Sequence, residues 1–411
     1  MQSNEPIKVF EHESLRVGQK GFTGDQWEAL IKLNELHEGK YFNVIHKGIK
    51  FTEYVGVIQT NGITLEILPK IDKEKDTDWR EVLIAMLKVC KKLSPDAQGE
   101  AKVKRQNLNL LELYFEFFLN EVNQLIRLGL IKQYRKETKN VKALKGKLEF
   151  AGHLNKNIIH KERFYTTHSV YDYNHTLHQI IMEALLVISN ITNGSFLNDK
   201  CRRVMMSFPE VERLNINAAL FDKLTFNRKS KPYEKVIELA RLILLNYSPD
   251  IRGGKEKMLA LLFDMNTLWE EYVLRILQKA SKDFEGMKVS GQAKKKFWES
   301  RTVRPDIVVE YNDVTSIIDT KWKRISNDKA SIDDLRQMYV YNKYWGAKKS
   351  MLLYPKGGTD KSNITGSYYT DITNKKDENN SCEIGYLDVI KNGKLNSDWG
   401  KAFLERKFYA S

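Results

Sequence analysis

Residues 304–321 read Arg-Pro-Asp-Ile-Val-Val-Glu-Tyr-Asn-Asp-Val-Thr-Ser-Ile-Ile-Asp-Thr-Lys, and this stretch constrains the fold more tightly than any other in the 411-residue chain. Two β-branched, apolar runs flank Asn312-Asp313. That dipeptide can form a two-residue hairpin turn, though less strongly than Asn-Gly. A turn there places Asp306 directly opposite Asp319. Directly opposed residues point to one sheet face, with Cβ atoms about 5 Å apart. Lys321 follows Asp319 by two and shares that face. Ile307, Val308, Val309, Ile317 and Ile318 are apolar in both alternation classes, so the hairpin is expected to be buried with its charges near one end.

Three ionisable groups gathered in this way need a physical reason, because neighbouring carboxylates repel. A divalent cation removes that cost, and hard carboxylate oxygens suit Mg²⁺. Such an ion activates water and stabilises charge on a phosphate. Lys321 would position that water or stabilise the developing charge. The alternative is a structural salt bridge between Lys321 and the two aspartates. The upstream Pro305-Asp306, the apolar strands and the basic surroundings favour the metal.

Flanking segments add candidates. Glu270, on a helix expected over 258–280, can reach the same cluster; the alternative is a solvent-facing glutamate. A helix expected over 333–345 carries Gln337 and Tyr341 at i, i+4, hence on one face. They would contact DNA or brace the site, with core packing of Tyr341 as the alternative. Lys294, Lys295, Lys296, Arg301 and Arg304 form a candidate phosphate-gripping margin. Phe297 and Trp298 are interleaved with it, and at least one of them is expected in the core.

The chain carries 67 Lys and Arg against 53 Asp and Glu, a net charge of +14, which suits a polyanionic partner. Its apolar fraction of 42% is that of a globular protein, and its length implies two or three domains. Cys90, Cys201 and Cys382 are dispersed, so neither a disulfide framework nor a zinc knuckle is expected, and a reducing cytosol fits. His175 and His178 stand at i, i+3 without a third ligand and read as helix-surface or packing residues. The N-terminal MQSNEPIKVFEHE is polar and acidic, unlike a signal peptide. The most apolar run, 110–119, is too short to span a membrane and is interrupted by Glu112 and Glu116. It reads as a largely buried helix with one polar stripe.

Along the chain, residues 1–75 read as β-rich. A helix over 25–37 ends at Gly39, and alternating segments at 51–58 and 63–68 meet at Asn61-Gly62. Residues 76–250 read as mainly helical, with helices over 79–91, 107–128 (capped by Gly129), 176–191 and 232–245. Within this region, 130–150 is extended or irregular and rich in Lys132, Arg135, Lys136, Lys139, Lys142, Lys145 and Lys147. That strip is either a nucleic-acid contact or a solvated face. Residues 250–255 read as a linker. Residues 251–411 then run helix, strand, turn, strand, helix, strand as far as Tyr354, with 359–381 as a surface insertion. The expected fold class is α+β, with an α/β C-terminal domain.

Pro305-Asp306, Asp319-Thr-Lys321 and Gln337 with Tyr341 resemble the PD-(D/E)xK nuclease superfamily. The wider chain resembles the McrC family, the nuclease subunit of McrBC systems that restrict 5-methylcytosine DNA. The likeness lies in Ile67-Leu-Pro-Lys-Ile71, Leu144-Lys-Gly-Lys-Leu148, Tyr171 to His175, Leu262-Phe-Asp-Met-Asn266 and Leu268-Trp-Glu-Glu-Tyr-Val273. Two positions depart from the family: Lys145, where arginine is expected, and Asn174, which lacks the usual acidic residue close before it. The resemblance implies a restriction-endonuclease-like C-terminal domain cutting double-stranded DNA. It implies Asp306, Asp319 and Lys321 as catalytic residues with Glu270 assisting, and Mg²⁺ on the two aspartates. It also implies a McrB-like AAA+ GTPase, a hexameric ring engaged and stimulated through the N-terminal part of the chain. Consistently, the sequence has no complete G-x-x-x-x-G-K-[ST] phosphate loop; Gly253-Gly-Lys255 and Gly146-Lys147 lack the rest. Two other readings stay open: a non-catalytic GTPase-activating adaptor with a retained nuclease fold, and a stand-alone DNA repair nuclease.

Overall fold

The computed structural model describes residues 6–60, 63–70, 78–92, 109–249, 257–325, 329–356, 362–370 and 375–408. The fold is α+β, in two compact units. One unit comprises residues 1–100 together with 262–411; the other comprises 101–261. The breaks expected near 75 and 250 follow changes in sequence character. The compact units follow contacts instead, and the first is assembled from both ends of the chain.

In the first unit, Ile7–Phe10 runs parallel to Ile63–Leu68, which pairs antiparallel with Tyr54–Thr60. Thr60 stands opposite Ile63, the register a two-residue turn demands. Asn61 and Gly62 themselves lie outside the described residues. The helix Gly24–Leu36 starts at a capping box: the Thr23 hydroxyl accepts from Gln26 N, and the Gln26 side chain accepts from Thr23 N.

The second half of this unit is a six-stranded mixed sheet in the order Lys288–Gly291, Ile307–Tyr311, Val314–Thr320, Lys349–Lys356, Lys376–Asp388, Ile364–Tyr369. Its central hairpin has the expected register, with Ile307 opposite Ile318, Val308 opposite Ile317 and Tyr311 opposite Val314. Asn312 and Asp313 have φ of +48° and +62°, the left-handed pair that this turn requires. The helix Ile332–Trp345 then makes the crossover to the parallel strand Lys349–Lys356. Ile317, Met338, Leu352 and Tyr354 pack together between helix and sheet. Ile317 thereby packs the strand Val314–Thr320 against that helix.

Two expectations need correction. The helix expected over 258–280 begins only at Met265; Lys257–Asp264 is a strand. The apolar run Met-Leu-Ala-Leu-Leu-Phe has no helical period to separate the two states. Asp264 marks the switch, because its side chain accepts from Thr267 N at 2.9 Å as an N-cap. Within the expected insertion at 359–381, Ile364–Tyr369 forms an exposed edge strand of the main sheet, and Lys376 onward belongs to the strand beside it. The expected linker at 250–255 lies outside the described residues.

The second unit packs the helices Leu110–Leu128, Thr176–Ile191, Phe196–Met206 and Glu234–Leu245 with a three-stranded sheet. In that sheet Gln133–Val141 and Lys147–Leu148 flank Phe164–Asp172. Gly146 has φ of +71°, and a Cβ there would lie 2.4 Å from the Thr167 carbonyl, so only glycine fits. His175 and His178 are packing residues. His178 is fully buried, and its ring meets the Tyr173 carbonyl at 2.8 Å and the Tyr233 hydroxyl at 3.0 Å. Burial lowers its pKa to about 4, so it sits there neutral. The three cysteines are free and buried. Among the described residues, no helix is long and apolar enough to cross a membrane.

Candidate active site

The site grows from the end of the central hairpin. Asp306 immediately precedes Ile307–Tyr311, and its Oδ2 accepts from Thr320 N at 2.7 Å and Thr320 Oγ1 at 2.9 Å. Those bonds tie the first carboxylate to the strand that carries the second. Asp319 is 2% exposed, and its Oδ2 lies 2.7 Å from Lys321 Nζ. The Lys321 ammonium is that oxygen's close partner and offsets part of the cost of its burial. Burial, then the neighbouring Asp306, pushes the Asp319 pKa up to about 7. Burial also raises Asp306, against the lowering effect of the Thr320 bonds. Burial opposes the charge on Lys321, yet Asp319, Asp334 and Asp306 together hold its pKa above the ordinary value.

A chain of hydrogen bonds orients Lys321. Its Nζ donates to Gln337 Oε1 at 3.2 Å, and Gln337 Nε2 donates to the Tyr341 hydroxyl at 2.8 Å. Tyr341 donates in turn to the Arg304 carbonyl at 2.9 Å. Gln337 and Tyr341 therefore brace the site from the helix Ile332–Trp345, and Tyr341, 4% exposed, also packs in the core.

Glu270 is half-buried on the first turns of Met265–Ala280. Its pKa is raised by burial and then by the charge of Asp306. It accepts from Gln292 Nε2 at 2.9 Å, and Gln292 Oε1 accepts from Arg304 Nη1 at 3.3 Å. The Gln292 N–H also bonds the Asp306 carbonyl at 3.0 Å.

Sequence reasoning missed Gln292, Thr320 and Asp334. Asp334 lies 3.8 Å from Lys321 Nζ and 2.7 Å from Lys323 Nζ. Thr320 carries a weak signal, as the hydroxyl between aspartate and lysine. Gln292 carries none, because its role depends on a turn distant in sequence.

Lys294, Lys295, Lys296, Arg301 and Arg304 are all exposed, on or beside the two-stranded hairpin Lys295–Trp298 and Arg301–Val303. Lys295 is partly committed, bonding the Tyr344 carbonyl at 2.9 Å and lying over the Trp345 ring. The core placement expected for Phe297 or Trp298 does not hold: they are 48% and 62% exposed. A two-stranded hairpin has no second layer of its own, and contact with the helix Ile332–Trp345, such as Phe297 with Tyr344 at a centroid distance of 5.6 Å, leaves both rings largely exposed. Phe297, Arg304, Arg336, Gln337 and Tyr341 line a cleft of about 430 Å³.

The donor set fits Mg²⁺. Asp319 offers a buried hard carboxylate, raised in pKa by burial, and Asp306 is a second one at the same strand end. Among the described residues, no group of three or more His, Cys, Asp or Glu forms an all-protein metal cage. Mg²⁺ does not need one, because it is ordinarily held by one or two carboxylates with waters and substrate phosphate.

Comparisons with known proteins agree with this architecture. The chain is 22% identical over 288 residues to the type IV methyl-directed restriction enzyme EcoKMcrBC of Escherichia coli strain K12, covering 62% of this chain and 81% of that protein. Its fold is similar to a structure from the tetradecameric assembly of Thermococcus gammatolerans McrB AAA+ hexamers with bound McrC. That likeness has a TM-score of 0.70 at 19% identity and covers 98% of this chain and 100% of the other. A chain of the Thermococcus gammatolerans McrBC complex matches with a TM-score of 0.52 at 21% identity, over 67% and 88% of the two chains. The family model for the McrBC 5-methylcytosine restriction system component matches residues 49–355, a span that takes in Glu270, both aspartates, Lys321 and the helix bracing them, and the chain belongs to that family.

Proposed function

We propose that this chain is the DNA-cleaving subunit of a McrBC-type restriction system, a PD-(D/E)xK nuclease that hydrolyses double-stranded DNA with Mg²⁺. One observation carries the reading. The buried carboxylate of Asp319 and the half-buried one of Asp306 are brought to one strand end, with Lys321 Nζ 2.7 Å from Asp319 Oδ2. Packing like charges in a low-dielectric setting is costly, and a bound divalent cation offsets that cost.

Asp306 and Asp319 would hold the ion, which when bound supplies an activated water and stabilises charge on the phosphate. The Thr320 bonds aim Asp306, and the Gln337–Tyr341 chain aims Lys321. Lys321 then presents a fixed positive charge to the oxygen on which negative charge develops. Glu270 completes the acidic wall beside Asp306. Lys294, Lys296, Arg301 and Arg304 grip the DNA backbone along the adjacent margin, a contribution that falls with salt.

The assembly described for Thermococcus gammatolerans holds McrC on McrB AAA+ hexamers. We extend that arrangement to this chain: a McrB-like GTPase ring is its partner, residues up to about 250 engage and stimulate it, and cleavage depends on it. The setting is the cytoplasm. Asp319→Ala tests the assignment. In the presence of a McrB-like partner, Mg²⁺ and methylated DNA, this variant should lose cleavage while still stimulating GTP hydrolysis. Cleavage at the unmodified rate would overturn the site.

A further inference from the structure

Two tryptophans stand next to candidate site residues: Trp269 precedes Glu270, and Trp322 follows Lys321. Both are buried, and their rings pack with centroids 5.3 Å apart. The strand Val314–Thr320 ends just before Lys321, whose N–H makes one further ladder bond to the Leu353 carbonyl at 3.0 Å. Beyond that bond the chain leaves the sheet. The position of Lys321 therefore depends on what holds residue 322.

Trp322 is held from the other end of the sequence. Its Nε1–H donates to Glu11, at 2.9 Å to Oε1 and 3.1 Å to Oε2. Glu11 is 4% exposed and immediately follows the strand Ile7–Phe10. Its own N–H bonds the Leu68 carbonyl at 3.0 Å, and Lys70 N donates to its Oε1 at 2.7 Å. The ends of two N-terminal strands thus orient one buried carboxylate onto one indole. Burial raises the Glu11 pKa to about 7, so an acid is kept here against a solvation cost that a neutral acceptor would not bear.

We propose that Glu11 is a positioning residue for the cleavage centre: by anchoring the Trp322 indole it sets where the strand end delivers Lys321, so the N-terminal strands complete a site built from residues 270–341. The inference rests on the assignment of Asp306, Asp319 and Lys321 as that centre. It adds a physical route from the N-terminal segment to the chemistry. A displacement of the strand ends at Glu11 and Lys70 is passed through one indole to the residue after Lys321.

The test uses the full chain with a McrB-like partner, Mg²⁺ and methylated DNA, with Asp319→Ala as the inactive reference. Glu11→Ala should lower the single-turnover cleavage rate by about ten-fold or more, while the DNA Kd moves by less than about two-fold. Glu11→Gln should restore cleavage, since one amide oxygen can accept from both Lys70 N and Trp322 Nε1. Trp322→Phe keeps the packing but removes the donor, and should reproduce the Glu11→Ala defect. The double variant should be no worse than either single one. Trp322→Phe decides the matter if Glu11→Ala fails to fold. Wild-type cleavage rates in Trp322→Phe, or a loss of rate matched by a rise in the DNA Kd, would overturn the positioning role. If the wild-type protein itself does not cleave, the nuclease assignment fails first and this role goes with it.

Discussion

Two charged regions of this molecule look alike in sequence and behave in opposite ways. The strand Gln133–Val141 and its neighbour Phe164–Asp172 carry Arg135, Glu137, Lys139 and Asp172 on an exposed sheet. There the charges satisfy one another: Arg135 meets Asp172 at 3.0 Å and Glu137 at 3.2 Å, and Lys139 meets Glu137 at 2.5 Å. Hydrogen bonds from Arg135 hold the Asp172 pKa below the ordinary carboxylate value. At the central hairpin the same residue type is shifted upward, to about 7 at Asp319, by burial and by Asp306. The solvated ladder is at rest electrostatically. At the hairpin end the Thr320 bonds and Lys321 offset only part of the cost of burial, and such a remaining cost marks a place prepared for something else.

The largest effect that would break this contrast is catalytic. Lys321→Ala should reduce cleavage by roughly 10²–10³-fold, the scale seen when a positioned charge stabiliser is removed. Single-turnover cleavage with the partner present measures it. Retention of full activity would mean that Lys321 is only a salt-bridge partner of Asp319.

Next in size is the effect of Glu11→Gln on stability. The folded pKa of Glu11, about 7, lies above its ordinary value of 4.5, so the folded state binds more protons between those pH values. Stability from this group therefore falls as pH rises through that window, and the full cost is present above pH 7. The glutamine variant should be more stable than wild type at pH 8 by at most about 3 kcal/mol, and equal to it near pH 4.5. Urea unfolding at both pH values checks this, and a gap that is constant with pH contradicts it.

Smaller again is the response to metal. At ten times its Kd, Mg²⁺ should stabilise the folded protein by about 1.4 kcal/mol. The gain should shrink as pH falls below about 7, because protonated Asp319 competes with the cation. Asp306→Asn should reduce it at every pH. Thermal unfolding with and without Mg²⁺ reads each of these effects.

The smallest effect sharpens the comparison from its other side. Arg135→Ala should change stability by less than about 1 kcal/mol and leave the cleavage rate of bound DNA unaltered, because its ion pairs are solvent-screened. A ten-fold loss of cleavage would show that the ladder is not merely a solvated face.

How much of this was legible beforehand depended on the range of the determining interaction. The expected register follows from a two-residue turn and strict alternation, both local, and it agrees at every paired position from Ile307 opposite Ile318 to Tyr311 opposite Val314, the ladder starting one residue after Asp306. The strand Lys257–Asp264 differs from the expected helix because a six-residue apolar run has no period to distinguish the two. Gln292, Asp334, Glu11 and Trp322 were invisible as site components. Each acts through a partner on another element, up to 311 positions away for Glu11 and Trp322. The joining of residues 1–100 to 262–411 was hidden for the same reason. A fragment cut near residue 250 would divide that unit, so tests of motor engagement are better made by point substitution in the full chain.

The central claim is that Asp306 and Asp319 are paired in order to hold a divalent cation. Mn²⁺ shares the hard-oxygen, octahedral preference of Mg²⁺ and scatters anomalously. Crystals of the full chain with duplex DNA and Mn²⁺ should show an anomalous peak in direct contact with both carboxylates, and Asp319→Ala crystals should lack it. A peak elsewhere with none at the hairpin end, or an unchanged peak in Asp319→Ala, would contradict the account.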